Sequence, residues 1–137
     1  MRYGTTVRHG IDDGRLFRFS DYAHLYMFGI VGRHANLITF VHPALLLLLD
    51  YDQGHNSEFM ETLYCYLQLA GSTAKAAKVL SLHKNTLLYR LGRIRRVLDM
   101  DLSSGENLFM LQFGIRILIS LGLFAPKLTL VRAELGG

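Results

Sequence analysis

Apolar residues recur at helical spacing between positions 84 and 98, and this pattern constrains the fold more than any other feature of the chain. With about 100° of rotation per residue, four apolar side chains fall within roughly 40° of one position on the helix surface. They are Leu87, Leu91, Ile94 and Leu98. A stripe of this width predicts an amphipathic helix over residues 84–98 that buries one side in a core.

The side of this helix opposite the apolar stripe combines hydrogen-bonding groups with positive charge. Asparagine can pair with adenine through two hydrogen bonds, arginine can do so with guanine, and threonine or tyrosine can contact phosphate or a thymine methyl group. These properties suit the major groove of duplex DNA, although a solvated surface helix is the alternative interpretation. The residues are Asn85, Tyr89, Gly92 and Arg96, with Thr86 and Arg93 on one flank, Arg90 nearer the stripe and Lys84 at the helix start.

A shorter, alanine-rich helix is predicted just before this one. Ser72 or Thr73 can cap it, and it extends to about residue 80. Its Ala76 and Ala77 are small where two helices must cross closely, and residues 81–83 form a three-residue break. A short helix, a turn and a longer helix form the layout of a helix-turn-helix, here over residues 72–98.

Positive charge is concentrated in the same part of the chain. The net charge is +4 at pH 7, yet residues 62–98 contain seven basic and no acidic residues. The remaining eight basic residues are outnumbered by eleven acidic residues. Because phosphate contacts position a protein on DNA, we predict phosphate anchors among the basic residues. These are Lys75, Lys78, Arg93, Arg95 and Arg96, while His83 in the turn can donate to a phosphate, cap the helix or pack.

The rest of the chain also favours helices. We predict an all-α fold, a bundle of about six to seven helices, because no alternating segment is long enough to indicate a strand. We expect an arm or linker remnant at residues 1–19, a helical domain at 20–123 and a tail at 124–137. Within the domain, helices are predicted from Ser20 or Asp21 to Gly32, over residues 35–41, from Pro43 to a polar turn at 50–56, from Ser57 to Gly71, and from Ser103 or Ser104 to about residue 121.

Several classes of function lack the residues they require. The lone Cys65 excludes an internal disulfide and a cysteine-based zinc site, and no two of the six histidines are four residues apart. A calcium loop starting at Asp50 fails because Gly54 offers no side-chain ligand and His55 replaces the required glycine. There is no phosphate-binding glycine loop, activated nucleophile or carboxylate pair. We therefore expect no enzyme, no metal and no cofactor.

The apolar runs and the cysteine content bear on the compartment. The most apolar segment, residues 44–49, is six residues long. A membrane span needs about twenty. A single cysteine is typical of proteins in a reducing environment. We expect a cytoplasmic protein that makes no membrane contact.

Residues 83–94 carry a sequence signature. An alanine-rich helix is followed by His-x-Asn-Thr at 83–86 and Tyr-Arg-Leu at 89–91. This order resembles the C-terminal helix-turn-helix domain of the PucR/CdaR family of bacterial transcriptional regulators. The resemblance covers roughly residues 19–123, including Tyr51 and Asp52 upstream and Asp101 and Leu102 downstream. A more distant similarity is to the Fis-type helix-turn-helix. Gly92 departs from the pattern, because a helix-favouring residue is expected there.

The resemblance implies a sequence-specific DNA-binding domain that places residues 84–98 in the major groove of double-stranded DNA. It also implies that a full-length regulator carries a sensory domain N-terminal to this one. Because one recognition helix contacts few base pairs, we expect a homodimer or higher homo-oligomer on two half-sites. The apolar last helix and the leucines at 45–49 are candidates for either the core or the contact between protomers. The alternative function is a protein-interaction or oligomerisation module that retains the fold without contacting DNA.

Overall fold

The structure, a computed structural model, describes residues 9–12 and 15–127, with side chains from residue 23 onward. Contacts divide the chain into two compact units, Met1–Thr39 and Phe40–Gly137. The predicted domain over residues 20–123 therefore crosses the boundary between the units. Residues 1–8, 13 and 14 of the predicted arm and residues 128–137 of the predicted tail lie outside the described residues.

In its described residues, the first unit contains a short β-hairpin and one α-helix. Strands β1 (His9–Asp12) and β2 (Arg15–Arg18) pair in antiparallel register, with His9 opposite Arg18. Helix α1 (Phe19–Gly32) follows directly, contacts both strands and ends at the predicted glycine. The sequence does not predict the hairpin, because strands of four residues are too short for a recognisable alternation.

A single 3-10 turn, Leu37–Phe40, takes the place of the helix predicted over residues 35–41. The Asn36 side chain accepts the backbone N–H of Ile38 at 3.2 Å, and the Asn36 carbonyl accepts the Thr39 hydroxyl. Pro43 follows two residues after Val41 and disfavours helical backbone at the residue before it. The segment therefore completes only one turn.

The second unit is built from five helices in its described part. These are α2 (Pro43–His55), α3 (Phe59–Gln68), α4 (Thr73–Val79), α5 (Lys84–Leu98) and α6 (Gly105–Ser120). Helix α3 lies at the centre, since it contacts α2, α4, α5 and α6. The predicted all-α helical bundle is confirmed, with the N-terminal hairpin as an addition to it.

The polar turn predicted over residues 50–56 is wrong, because α2 continues through His55. Asn56 ends the helix with a φ of 51°, a left-handed conformation that asparagine adopts more readily than most residues. The carboxylate of Asp52 then accepts the backbone N–H groups of Phe59 at 2.9 Å and Met60 at 2.8 Å. The polar residues of this segment thus end one helix and cap the next.

The core of the second unit is apolar and closely packed. Gly114 allows α6 to approach α2, since a Cβ at this position would lie 2.6 Å from Leu45 Cδ1. Cys65 is fully buried, and burial raises the pKa of its thiol to about 11. The largest fully buried side chains include Leu45, Leu48, Met60, Leu63, Leu87, Ile94, Leu111, Ile115, Ile117 and Leu118. The leucines at 45–49, for which the sequence left core and surface open, divide between the two. Leu45 and Leu48 are in the core, whereas Leu47 is 60% exposed.

Candidate nucleic-acid interface

Helices α4 and α5 and the four residues between them, 80–83, have the geometry of a helix-turn-helix at the predicted place in the chain. The break is one residue longer than predicted, because α4 ends at Val79. Ser72 begins the motif, and its Oγ accepts the backbone N–H of Lys75 at 3.2 Å. Ala76 and Ala77 are buried, and α4 contacts α5. In the turn, Ser81 has a φ of 56°, and the backbone N–H of Leu82 donates to the Ala77 carbonyl at 2.9 Å. These contacts fix the direction in which α5 leaves the turn.

His83 caps α5. Its Nδ1 accepts the backbone N–H of Asn85 at 3.2 Å, so a neutral ring carries its proton on Nε2. The side chain is exposed, which leaves the Nε2–H group available as a donor. Of the three roles predicted for His83, the structure shows capping, and this role is compatible with donation to a phosphate.

The two sides of α5 differ as the sequence predicts. The apolar stripe is buried, with Leu87 and Ile94 fully inaccessible and Leu91 and Leu98 nearly so. On the other side, the Tyr89 side chain is 61% exposed. A Cβ at Gly92 would meet only the guanidinium ends of Arg95 and Arg96, so packing does not require a glycine there. The exposed residues of this side are Lys84, Asn85, Thr86, Tyr89 and Arg96.

Arg90 lies at the edge of this surface and contacts the scaffold. It is partly buried, and its Nη1 is 3.5 Å from the hydroxyl of Thr62, which is fully buried on α3. Glu58 at the start of α3 is also close enough to interact with it electrostatically. The pKa of Glu58 is lowered, mainly by its ion pair with Lys127 and to a smaller extent by Arg90. The positive charge of Arg90 is therefore partly compensated within the fold by Glu58.

Arg93 is held by a residue from a distant part of the chain. Its Nη2 donates to the Tyr51 hydroxyl on α2 at 2.7 Å, and Tyr89 on α5 also interacts with the guanidinium. The hydrogen bond to Tyr51 is the main reason that the pKa of Arg93 lies above its ordinary value. The sequence did not indicate that Tyr51 lies beside Arg93. The only signal for it was the upstream extent of the family resemblance, because no spacing rule links residues 42 positions apart.

The positive surface ends beyond the last turn of α5. Arg95 and Arg96 are exposed and line an open groove together with Gly92, Asp99 and Asp101. Hydrogen bonds from Ser103 lower the pKa of Asp101, and Arg95 adds a smaller electrostatic contribution. Two carboxylates thus follow directly after the basic helix. On α4, the structure exposes Lys75 and Lys78.

No group of three or more histidine, cysteine, aspartate or glutamate side chains is arranged to hold a metal ion in the part of the chain that the structure describes. No helix described between residues 19 and 120 is long and apolar enough to cross a membrane.

The chain is similar to known proteins over the helix-turn-helix and over most of its length. Residues 59–117 match the family model of the PucR C-terminal helix-turn-helix domain. The chain is 27% identical over 113 residues to the DNA-binding transcriptional activator AdeR of Bacillus subtilis (strain 168). This alignment covers 82% of the chain and 27% of the relative, so the chain corresponds to about a quarter of that protein's length. No solved structure shows significant similarity to the chain.

Proposed function

We propose that this chain, whose residues 59–117 match the family model of the PucR C-terminal helix-turn-helix domain, is a sequence-specific DNA-binding domain of a bacterial transcriptional regulator. The observation that carries the proposal is the two-sided character of α5. One side is buried in the bundle, and the other presents hydrogen-bonding and cationic groups to solvent. This is the arrangement by which a helix-turn-helix places its second helix in the major groove.

We assign some of the exposed residues to contacts with bases and the others to contacts with the DNA backbone. Asn85, Thr86 and Tyr89 lie on the first two turns of α5, from which recognition helices contact base edges. Asn85 is the strongest candidate for a base contact, because an asparagine amide matches the N6 and N7 groups of adenine. Phosphate contacts are assigned to the other predicted residues, namely His83, Lys84, Arg93, Arg95, Arg96, Lys75 and Lys78, with Arg90 contributing from the edge.

The assembly follows from the small size of one recognition helix. A single helix contacts only a few base pairs, so we propose that the regulator binds two half-sites as a homodimer or higher homo-oligomer. The relative is by name a transcriptional activator, and most of it has no counterpart in this chain. We therefore propose that a sensory domain completes the regulator. Such a protein acts in the cytoplasm, where the bacterial chromosome lies, and needs no catalytic group or cofactor.

A second candidate function is a protein-interaction or oligomerisation module. The observation in its favour is that Leu47 on α2 is 60% exposed and Phe109 on α6 is 63% exposed. Exposed apolar side chains of this size are common at protein contacts. The two candidates differ in their dependence on salt, because phosphate neutralisation releases counterions.

The test is binding of a labelled duplex over a range of salt concentrations. The proposal predicts a linear fall of log affinity with log salt, with a slope near −0.9 for each phosphate neutralised. Arg96→Gln should reduce the magnitude of this slope by about 0.9, since one contact is lost. The control Arg33→Gln removes the same charge from an exposed position in the first unit and should leave the slope unchanged. A folded, oligomeric chain that binds no duplex at low salt would contradict the proposal.

A further inference from the structure

Tyr51 and Arg93 form a pair that joins the scaffold to the recognition helix. The tyrosine lies in the second half of α2, and the arginine lies in the middle of α5. The Arg93 Nη2 donates to Tyr51 Oη at 2.7 Å, a short distance for an N–H···O hydrogen bond. Both side chains are partly exposed, so the pair is accessible from solvent.

The tyrosine ring is itself fixed. It stacks on His55, with ring centroids 3.9 Å apart, and on Phe59, with centroids 5.4 Å apart. The two interplanar angles are 12° and 9°, so the three rings are nearly parallel. A phenol stacked against two rings has little freedom to rotate. Its hydroxyl is therefore a rigid acceptor for the guanidinium.

The charge of Arg93 is not neutralised within the described part of the chain. The groups that perturb its pKa are the hydroxyls of Tyr51 and Tyr89, and no carboxylate is among them. Arg90 differs, since it interacts with Glu58. A guanidinium has five N–H groups in a planar fork, so donation to Tyr51 leaves others free.

The hydroxyl of Tyr51 also retains a donor. Because its oxygen accepts a hydrogen bond from Arg93, its own O–H points elsewhere, and no described residue accepts a hydrogen bond from it. The Arg93 guanidinium and the Tyr51 hydroxyl therefore lie side by side. Together they provide an anion with one positive charge and with both N–H and O–H hydrogen-bond donors. Phosphate oxygens are the acceptors that arginine and tyrosine contact on the DNA backbone.

We propose that Tyr51 and Arg93 form a binding site for one backbone phosphate of duplex DNA, in which Tyr51 orients the guanidinium and donates a second hydrogen bond. This inference rests on the proposed function and adds to it a contact from α2, outside residues 59–117. The contact from α2 adds to those assigned to Lys75 and Lys78 on α4, and contacts from separate elements together restrain the rotation of α5 in the groove.

The experiment compares Tyr51→Phe with the unaltered chain on a preferred duplex and on a random duplex. The substitution keeps the ring and its stacking and removes only the hydroxyl. We expect roughly three- to tenfold weaker binding to both duplexes, the effect of one lost hydrogen bond. The control Tyr64→Phe removes a hydroxyl from a ring on α3 that contacts Phe124, and it should bind as the unaltered chain does.

A double-mutant cycle distinguishes the proposed site from an independent effect of Tyr51. In the Arg93→Gln background, Tyr51→Phe should cause much less further loss, since its partner is already gone. Equal fold-losses in both backgrounds would overturn the proposal, and so would a loss confined to the preferred duplex. If thermal unfolding shows that Tyr51→Phe is not folded, Arg93→Lys decides: it keeps the charge but lacks the fork, so undiminished affinity would overturn the proposal.

Failure of this inference can be told apart from failure of the proposed function. If the unaltered chain binds duplexes and Tyr51→Phe binds them equally well, only the phosphate site is refuted. If the unaltered chain binds no duplex, the proposed function and the phosphate site are both refuted.

Discussion

Asp52 Oδ2 accepts the backbone N–H of Met60 at 2.8 Å, so the end of α2 caps the start of α3. The same carboxylate accepts the N–H of Phe59 and the hydroxyl of Ser57 through its other oxygen. Glu58, the N-cap residue itself, makes no capping bond with its side chain. One carboxylate thus supplies the acceptors for two of the free amides of the central helix, and a negative charge at this end is also favoured by the helix dipole.

Asp52→Ala should therefore destabilise the protein. Loss of a capping side chain costs about 0.5–2 kcal/mol, and two amides lose their partner here, so we expect the upper half of this range. The measurement is the free energy of unfolding in urea. Asp50→Ala is the matched control, because Asp50 is an exposed aspartate in the same helix. Equal effects of the two substitutions would show that the cap does not stabilise the fold.

Gly114→Ala should also destabilise the protein, although alanine favours helices. The added Cβ would lie 2.6 Å from Leu45 Cδ1, so α6 and α2 would have to separate or Leu45 would have to move. Overpacking of this kind costs about 1–3 kcal/mol. The control is Gly54→Ala in α2, where nothing lies within 4 Å, and this change should stabilise the helix by about 0.5–1 kcal/mol. Destabilisation by Gly114→Ala should shrink when Leu45→Val is added.

Gly92→Ala should separate stability from DNA binding. A Cβ at this position would be 3.8 Å from Arg95 Nη2, an ordinary contact, so we expect the helix to gain about 0.5–1 kcal/mol. If the backbone of α5 lies close to DNA at this glycine, the methyl group should weaken duplex binding by roughly tenfold, the equivalent of mild overpacking. Thermal unfolding and duplex affinity are measured on the same preparation. Higher stability with unchanged affinity would place Gly92 away from the DNA.

Asn85→Ala should reduce discrimination between sequences without affecting the fold. The capping bond to His83 uses the backbone N–H of Asn85, which alanine retains. Loss of a two-hydrogen-bond contact to a base should lower the preference for the best duplex by about 1–3 kcal/mol. Arg95→Ala is the comparison, since loss of a phosphate contact should weaken all duplexes alike. Equal losses on preferred and random duplexes for Asn85→Ala would refute the base contact.

The helix-turn-helix could be predicted from the sequence because its signals are local. The apolar spacing of α5, the serine before α4 and the small residues within it act over a few positions, and the structure places α5 at Lys84–Leu98 as predicted. The end of α2 could not be predicted in this way. Its polar residues, including Asp52 and Gly54, look like a turn because an exposed helix face and a loop share the same composition.

The contacts that complete the candidate site are long-range and leave no local pattern. Tyr51 and Arg93 meet only because α2 packs against α5, and the spacing within each helix does not indicate their partner. The same holds for Gly114, whose role depends on the approach of α2. Sequence periodicity identified which side of α5 is exposed, and packing determined which of its arginines are held by the scaffold.

Selection of bound duplexes from a random pool tests the central claim most directly. A sequence-specific helix-turn-helix should enrich a short motif, and an oligomer should enrich two copies of it with centres about 10–10.5 base pairs apart or a multiple of this. Asn85→Ala should weaken the base preference at one or two positions of the motif. A folded chain that recovers the pool with unchanged base frequencies would contradict sequence-specific DNA binding.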